Sequence, residues 1–304
     1  MVALAPGRRR RISDETAAGW ISISPWIIGF LLFTAWPVAA SLYFSFTKYN
    51  VVESPHWIGL DNYRELLGDD DRFFKSVRNT VVYSALYVPL HVATAMGVAL
   101  LLNQARKMTG VFRTLYYLPS ITPTVATAYL WIWILNPNDG MVNEALRTLH
   151  LPAPAWTVDP FWTKPTIVIS QLWLLGGAMI IFLAGLKDIP VSLYEAATLD
   201  GAGARRRFKD VTLPMLSGVT FFVSIVSTIS ALQVFTQGYV MFDRDGGPEN
   251  SALFIIMYLF KQAFEYFRMG YASAIAWMLF VLILLITLVQ FRLSKRWVYY
   301  ETDA

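Results

Sequence analysis

The 304-residue chain is 56% hydrophobic and 15% charged, with a mean hydropathy of +0.46; soluble domains carry roughly 25% charged residues, so this composition excludes a soluble globular domain. It contains no cysteine, which excludes disulfides, cysteine-ligated zinc and a thiolate nucleophile. Its net charge of +4 is explained by basic cytoplasmic loops, and no basic module with interleaved aromatic residues indicates nucleic-acid binding.

The N-terminal region resembles the start of a signal peptide, because four arginines at 8–11 precede an apolar stretch. That stretch, 20–46, is longer than the apolar core of a signal peptide, which has about 7–15 residues. No cleavage site of small residues directly follows it. We therefore predict that it is retained as a first membrane span.

Six segments reach the roughly 20 mostly apolar residues that a membrane-spanning helix needs. They are 20–46, 77–102, 111–135, 166–186, 213–241 and 271–293. A seventh apolar run at 252–260 is too short to cross, and its extension to Phe267 predicts an interfacial or re-entrant helix. The sequence therefore predicts an all-α integral membrane protein with six spans.

The distribution of charge predicts the orientation. With both termini in the cytoplasm, the excess of Lys and Arg falls on the inside, as the positive-inside tendency requires. We predict a cytoplasmic tail at 1–19, a six-span domain at 20–293 with a cytoplasmic loop at 187–214, and a cytoplasmic tail at 294–304. The protein is expected to be a multi-pass protein of the cytoplasmic (inner) membrane.

The interiors of the spans contain no Asp, Glu, Lys or Arg. One class of multi-span protein, the ion-coupled secondary carrier, usually places such groups at mid-membrane. Their absence argues against this class, which remains the alternative to a transporter driven by a partner. His91 lies well inside a span, and we interpret it as a packed, hydrogen-bonded side chain. The energy for transport is therefore expected to come from a partner.

No catalytic or metal site is predicted. His56, His91 and His150 are far apart in the sequence, and the acidic run at 69–71 is interpreted as a solvated loop. A membrane-embedded enzyme would need a cluster of His, Asp or Glu, and none is seen. The Walker A motif is also absent, so the chain is not expected to be an enzyme or to hydrolyse ATP.

The loop between spans four and five has a helix–bend–helix pattern. Ser192 and Glu195 have the spacing of a capping box, which predicts a short helix after Pro190. Gly201 and Gly203 then permit a sharp bend.

A second helical piece, predicted at 204–210, follows the bend, and Leu213-Pro214 is expected to open span five. This piece carries three arginines and Lys209. They are expected to contact anionic lipid headgroups or an acidic rim of a partner. By itself this loop could be a plain interfacial connector.

A specific motif lies in the same loop. Glu195-Ala196-Ala197 is followed by three residues, then Gly201, then eleven residues and Leu213-Pro214. This pattern resembles the EAA loop of ABC importer permeases, which acts as a coupling helix seated in a groove of the ATPase subunit. The resemblance implies coupling roles for Glu195, Ala196, Ala197, Asp200, Gly201, Gly203, Leu213 and Pro214.

Further motifs extend the resemblance over nearly the whole chain. W-I-G-L-D-N-Y at 57–63, F-R-T-L-Y-Y-L-P at 112–119 and G-G-P at 246–248 are similar to segments of the carbohydrate (maltose and glycerol-3-phosphate type) importer permeases. The stretch at 242–245 departs from that pattern. The resemblance implies the six-helix type I importer (MetI-like) permease fold.

Polar and aromatic residues in spans four and five are candidates for a sugar pathway. Ser227, Ser230, Ala231 and Val234 share one helical face by their spacing. The sugar site of a maltose importer permease would align with Gln171, Leu174, Leu175 and Ala178, or with that serine face. The alternative is that these polar residues only join helices. The predicted pathway residues are Gln171, Trp173, Leu174, Ser227, Ser230, Gln233, Val234 and Gln237.

The resemblance implies a permease subunit of an ATP-binding-cassette importer for a sugar or sugar derivative, with glycerol-3-phosphate or another polyol phosphate as the alternative substrate. The implied partners are a second homologous permease, two cytoplasmic ATP-binding subunits and an extracytoplasmic solute-binding protein, all assembled in the lipid bilayer. No cofactor is expected on this chain, because ATP and Mg²⁺ would be bound by the ATPase partner.

Overall fold

The computed structural model describes residues 14–104 and 109–299. The arginines at 8–11, with the rest of residues 1–13, and residues 300–304 of the predicted C-terminal tail lie outside the described residues. Three helices, Ala18–Ser45, Asp71–Gln104 and Met269–Ser294, are long and apolar enough to cross a membrane, and two bent helix pairs raise the number to five. The described chain is thus largely helical, as predicted.

The first span combines α1 (Asp14–Phe30) and α2 (Trp36–Ser45) through a π-helical turn at Leu31–Ala35. It continues past Pro25 and Pro37 without a break in the helix. Most of its large apolar side chains are exposed, and α2 packs against the last helix of the chain.

A short antiparallel ladder follows, in which β1 (Thr47–Lys48) pairs with β2 (His56–Trp57). Strands of two residues are too short to give a sequence pattern, so the ladder was not predicted. It leads into α3 (Asp61–Gly68). The buried Asn62 there donates from Nδ2 to the carbonyls of Ser45 and Thr47, both at 2.9 Å, which fixes the end of the first span.

The second span is α4 (Asp71–Gln104), a single helix of 34 residues that contains Pro89. The prediction that the acidic run before it is a solvated loop is wrong for Asp70. Asp70 is half-buried and accepts hydrogen bonds from the hydroxyls of Tyr258 and Tyr271. This carboxylate therefore links the start of α4 to the C-terminal part of the chain.

The third predicted span is not one helix. It consists of α5 (Thr109–Tyr117), a 3-10 turn at Leu118–Ile121 and α6 (Thr124–Ile134). Pro119 and Pro123 interrupt it, because proline cannot donate a backbone hydrogen bond and clashes with the preceding turn. The 11 residues of α6 are too few to cross a membrane.

The fourth span is a bent pair. After α7 (Met141–Thr148), α8 (Thr163–Leu172) and α9 (Gly176–Asp188) meet at 53°. The bend brings α9 against α5, where a Cβ on Gly176 would lie 2.7 Å from the carbonyl oxygen of Tyr116. Glycine is therefore required at this contact.

The loop predicted to be cytoplasmic and span five form the second bent pair. The loop contains α10 (Val191–Leu199) and α11 (Ala204–Arg207). A π-helical turn at Phe208–Thr212 then joins α11 to α12 (Leu213–Met215). The continuous helix Ala204–Met215 meets α13 (Ser217–Leu232) at 62°.

After α13, the short α14 (Thr236–Met241) leads to a loop, to α15 (Ile255–Phe260) and to a π-helical turn at Lys261–Glu265. The last span is α16 (Met269–Ser294). The run predicted to be interfacial or re-entrant is packed inside the protein against α4 and α16. Ile255, Met257 and Tyr258 are all buried.

Two buried clusters form the core. One, around Tyr83, Phe254 and Ile275, joins α4 to α15 and α16. The other, around Phe182 and Leu216, joins α4 to α9 and α13. Because α4 belongs to both clusters, it is the scaffold on which the other spans are arranged.

Candidate functional site

The predicted coupling helix corresponds to α10, and none of its residues is buried. Glu195 and Ala196 are exposed and Ala197 is half-buried. The predicted capping box is wrong, because α10 begins at Val191 with Pro190 as its N-cap and no side-chain cap bond. Ser192 lies inside the first turn and cannot act as the cap.

The end of α10 is a tight glycine turn. Gly201 has φ +74°, whereas Gly203 has φ −67°. Ala202 donates its N–H to the carbonyl of Ala197 at 2.9 Å, as in a Schellman helix end. Of the two predicted bend glycines, only Gly201 needs the left-handed backbone, and Asp200 beside it is exposed.

Contrary to the prediction, Leu213 and Pro214 do not open span five. They lie at the end of the helix Ala204–Met215, before the 62° bend. Pro214 cannot donate to the carbonyl of residue 210, and the helix accommodates this by widening into the π-helical turn just ahead. The second helix of the loop is therefore longer than predicted, and the bend comes at Leu216, which is buried.

Two hydrogen bonds hold α10 against this second helix. The hydroxyls of Tyr194 and Thr212 are 3.0 Å apart. Arg207 donates from a guanidinium nitrogen to Oγ1 of Thr198 at 3.2 Å. A displacement of α10 would therefore be passed to the helix that leads into α13.

An open groove of about 500 Å³ lies on this face, lined by Tyr194, Glu195, Thr198, Leu199 and Arg207. Leu199 is 90% exposed. A carboxylate, small residues and an exposed leucine on one short helix give a surface that another protein could approach closely. The neighbouring arginines are also exposed, and Arg206 pairs with Asp210 at 3.3 Å.

A second candidate site is a cavity of about 300 Å³ between α4, α9 and α13. Its walls combine aliphatic and aromatic side chains with four polar residues. The lining residues are Tyr87, His91, Leu174, Gly177, Ala178, Ile181, Phe222, Val223, Val226, Ser227 and Ser230.

The polar groups come from two helices. On α4, the hydroxyl of Tyr87 lies 3.1 Å from Nδ1 of His91. On α13, the side-chain hydroxyls of Ser227 and Ser230 have no hydrogen-bond partner within the described chain, although Ser227 is buried. Their hydroxyls are therefore free to bond a guest in the cavity.

Only part of the predicted pathway lines this cavity. Leu174, Ala178, Ser227 and Ser230 do so. Because α13 ends at Leu232, the predicted helical face does not extend to Val234, which is packed into the core with Ala231. The predicted residues that do not line the cavity are Gln171, Trp173, Gln233, Val234 and Gln237.

Some of these residues join helices instead. Gln237 donates from Nε2 to Oε1 of Gln171 at 2.9 Å, which ties α14 to α8. Trp173 packs edge to face on Trp131, with ring centroids 5.6 Å apart. Gln233 is exposed and caps the end of α13.

Sequence reasoning missed Tyr87 and His91 as cavity residues. His91 is buried and hydrogen-bonded, as predicted, but it also faces the cavity. The available signal was the i, i+4 spacing of two polar rings in an otherwise apolar stretch, which places both on one side of α4.

Comparison with known proteins decides the family. Residues 92–299 match the sequence model of a protein family, the binding-protein-dependent transport system inner membrane component. The chain belongs to this family. It is therefore an all-α inner-membrane permease component, and the family is one of transport proteins rather than enzymes.

The chain is 43% identical to the probable ABC transporter permease protein YesP of Bacillus subtilis, over 97% of this chain and 96% of that protein. It is 32% identical to the lactose transport system permease protein LacF of Rhizobium radiobacter, over 91% of this chain and 94% of that protein. A chain from the crystal structure of a bacterial ABC transporter involved in the import of the acidic polysaccharide alginate superposes with a TM-score of 0.81 at 25% identity, over 94% of this chain and 99% of that chain.

Proposed function

We propose that this permease forms half of the translocation pathway of an ABC importer for a sugar or sugar derivative, with both termini in the cytoplasm. Relatives named for lactose transport and for alginate import support a carbohydrate substrate. A second permease, two ATP-binding subunits that carry ATP and Mg²⁺, and a solute-binding protein would complete the importer.

The observation that carries this proposal is the pair of unpartnered hydroxyls on Ser227 and Ser230 in a cavity that Tyr87 and His91 also line. Sugars present many hydroxyls that both donate and accept hydrogen bonds, and they also present apolar C–H faces. Binding pockets of this kind combine apolar walls with a few placed polar groups. Phe222 provides an aromatic wall beside the serines.

The position of α10 supports a route for coupling. It follows α9 after two residues, Ile189 and Pro190, and it is bonded through Thr212 to the helix that leads into α13. Both α9 and α13 contribute walls of the cavity. An ATPase that moved α10 would therefore displace two walls of the cavity together.

The test is solute-stimulated ATPase activity of the complete reconstituted importer. Glu195→Lys with Gly201→Asp is expected to abolish stimulation while membrane insertion is retained. Asp210→Lys is the matched control, because Asp210 is an exposed acid on the same cytoplasmic segment but does not line the groove. Unchanged stimulation in the Glu195 variant would contradict the coupling role of α10.

Ser227→Ala with Ser230→Ala tests the cavity. Loss of two hydrogen bonds, each worth about 1 kcal/mol, is expected to raise the half-saturating solute concentration about tenfold or more. Ser224→Ala is the control, because Ser224 donates to the carbonyl of Thr220 within α13 and does not line the cavity. Stimulation by glycerol-3-phosphate but by no sugar would favour the polyol phosphate alternative.

A further inference from the structure

A basic pocket of about 350 Å³ lies where α4 begins. Its charged lining residues are Lys75, Arg78, Lys164 and Glu249, so cations outnumber anions three to one. By the predicted orientation this pocket opens on the outer side of the membrane. Basic residues are normally concentrated on the cytoplasmic side, so three cations around one outer pocket call for a specific reason.

The cations are not neutralised by the protein. The side chains of Lys75 and Arg78 are exposed and form no hydrogen bond or ion pair within the described residues. Lys164 is half-buried and donates from Nζ to the carbonyl of Ser251 at 2.9 Å, a neutral acceptor that leaves its charge unpaired. Glu249 is exposed and forms no ion pair with any of them in the part of the chain that the structure describes.

The floor of the pocket is well ordered by buried hydrogen bonds. Asn79 donates from Nδ2 to the carbonyls of Asn250 and Leu253, at 2.9 and 3.1 Å. The hydroxyls of Thr163 and Ser251 are 2.7 Å apart. These bonds tie the loop before α15 to α4 and α8, so the cations surround a fixed surface.

An aromatic ring completes the pocket. Phe161 lines it and is 74% exposed. Its ring meets Trp162 edge to face, with centroids 5.5 Å apart, which leaves a face of Phe161 open to a ligand. A flat apolar surface beside several cations suits a ligand that has both an apolar ring face and a negative charge.

The pocket lies on the ridge of α4 that leads to the central cavity. Lys75, Asn79, Tyr83, Tyr87 and His91 follow one another at intervals of four residues, and such positions are neighbours on a helix. The first two line the basic pocket and the last two line the cavity. Between them in this series, the buried ring of Tyr83 packs against Phe254, with ring centroids 5.3 Å apart.

We propose that Lys75, Arg78 and Lys164 bind the carboxylate of an acidic saccharide that enters from the outer side, while its ring packs on Phe161. This inference rests on the proposed function and narrows its substrate class to sugars that bear an anionic group. Hydrogen bonds between cations and a carboxylate are stronger than neutral ones, so the pocket would select against neutral sugars.

The experiment compares two probes that differ in a single carboxylate. The complete importer, in nanodiscs of phosphatidylcholine at low ionic strength, is titrated with cellobiouronic acid and with cellobiose. Wild type is expected to bind the acid at least about tenfold more tightly. Arg78→Gln with Lys164→Gln is expected to remove this preference, and Lys75→Gln alone is expected to reduce it.

Arg72→Gln is the matched control, because Arg72 is an exposed cation on the same helix that does not line the pocket; it is expected to retain the preference. Equal affinities for the two probes in wild type, or a preference that survives in the double variant, would overturn the proposal. Native mass spectrometry provides a second check. If wild type retains phosphatidylglycerol and the double variant does not, the pocket binds a lipid headgroup and the proposal is overturned. If the proposal about acidic saccharides is overturned but neutral sugars still stimulate the ATPase, the proposed function stands. If no sugar stimulates the ATPase, the proposed function itself is contradicted.

Discussion

The hydroxyl of Tyr194 lies 3.0 Å from Oγ1 of Thr212, which joins the exposed helix α10 to the helix that leads into α13. Since α13 carries Ser227 and Ser230, this hydrogen bond lies between the exposed face of α10 and the cavity. It provides a direct test of whether movement of α10 reaches the membrane interior.

Tyr194→Phe is expected to weaken coupling without unfolding the protein, because the ring is kept and one hydrogen bond of about 1 kcal/mol is lost. The measurement is solute-stimulated ATPase activity in the reconstituted importer. Thr212→Val should have a similar effect, and the double variant should be little worse than either single one, because both remove the same contact. Fully additive losses would show that the two residues act independently.

The two glycines after α10 are expected to respond differently to alanine. A methyl group added at either position would have no neighbouring atom within 4 Å, but Gly201 has φ +74° and Gly203 has φ −67°. Gly201→Ala should therefore cost roughly 1–2 kcal/mol through backbone conformation alone, with reduced ATPase stimulation. Gly203→Ala is the control and should be nearly neutral. Equal losses would mean that the partner contacts both Cα positions closely.

The Gln171–Gln237 pair is expected to be asymmetric. Gln237 is buried, whereas Gln171 is half-buried, so Gln171→Leu leaves a buried amide without an acceptor. We expect Gln171→Leu to lower stability by about 1 kcal/mol more than Gln237→Leu, and the double variant to recover part of the loss. Thermal unfolding in detergent measures all three. A larger loss for Gln237→Leu would contradict this interpretation.

Asp70 is expected to matter more than its neighbour Asp69. Asp70→Asn weakens the charge-assisted bonds from Tyr258 and Tyr271 and should cost about 1–2 kcal/mol of stability. Asp69→Asn is the control, because Asp69 is exposed and its carboxylate has no partner within the described residues. The measurement is the melting temperature of the purified complex, and equal shifts for the two variants would contradict the role of Asp70.

The same contact predicts a dependence on pH. Burial, and then the hydrogen bond to Asp70, raise the pKa of the Tyr258 hydroxyl above its ordinary value of 10.0. A raised pKa in the folded state stabilises the protein below pH 10.0, and that contribution is lost as the pH rises through the raised value. Wild type should therefore lose stability more steeply than Tyr258→Phe between pH 10 and the raised pKa. Parallel loss of stability in the two proteins over this range of pH, measured by thermal unfolding, would contradict the expectation.

Local patterns were enough to predict the all-α membrane class, most of the spans and the loop that contains α10. A long apolar run, a glycine after a short helix and the E-A-A…G…L-P spacing are properties of neighbouring residues, so they can be recognised without a tertiary structure. The split of the third span at Pro119 and Pro123 was also encoded locally. It was concealed because the mean hydropathy of the whole 111–135 segment is high enough for a membrane span.

Only the tertiary structure decided which polar side chains face the cavity. Ser227 and Ser230 line the same cavity as Tyr87 and His91 because α13 packs against α4. No sequence pattern within one helix predicts where two helices pack against each other. Val234 does not line the cavity, because α13 ends at Leu232 and Val234 is packed into the buried core. Sequence therefore determined the membrane class and the E-A-A loop motif, while the three-dimensional packing of distant helices determined the cavity.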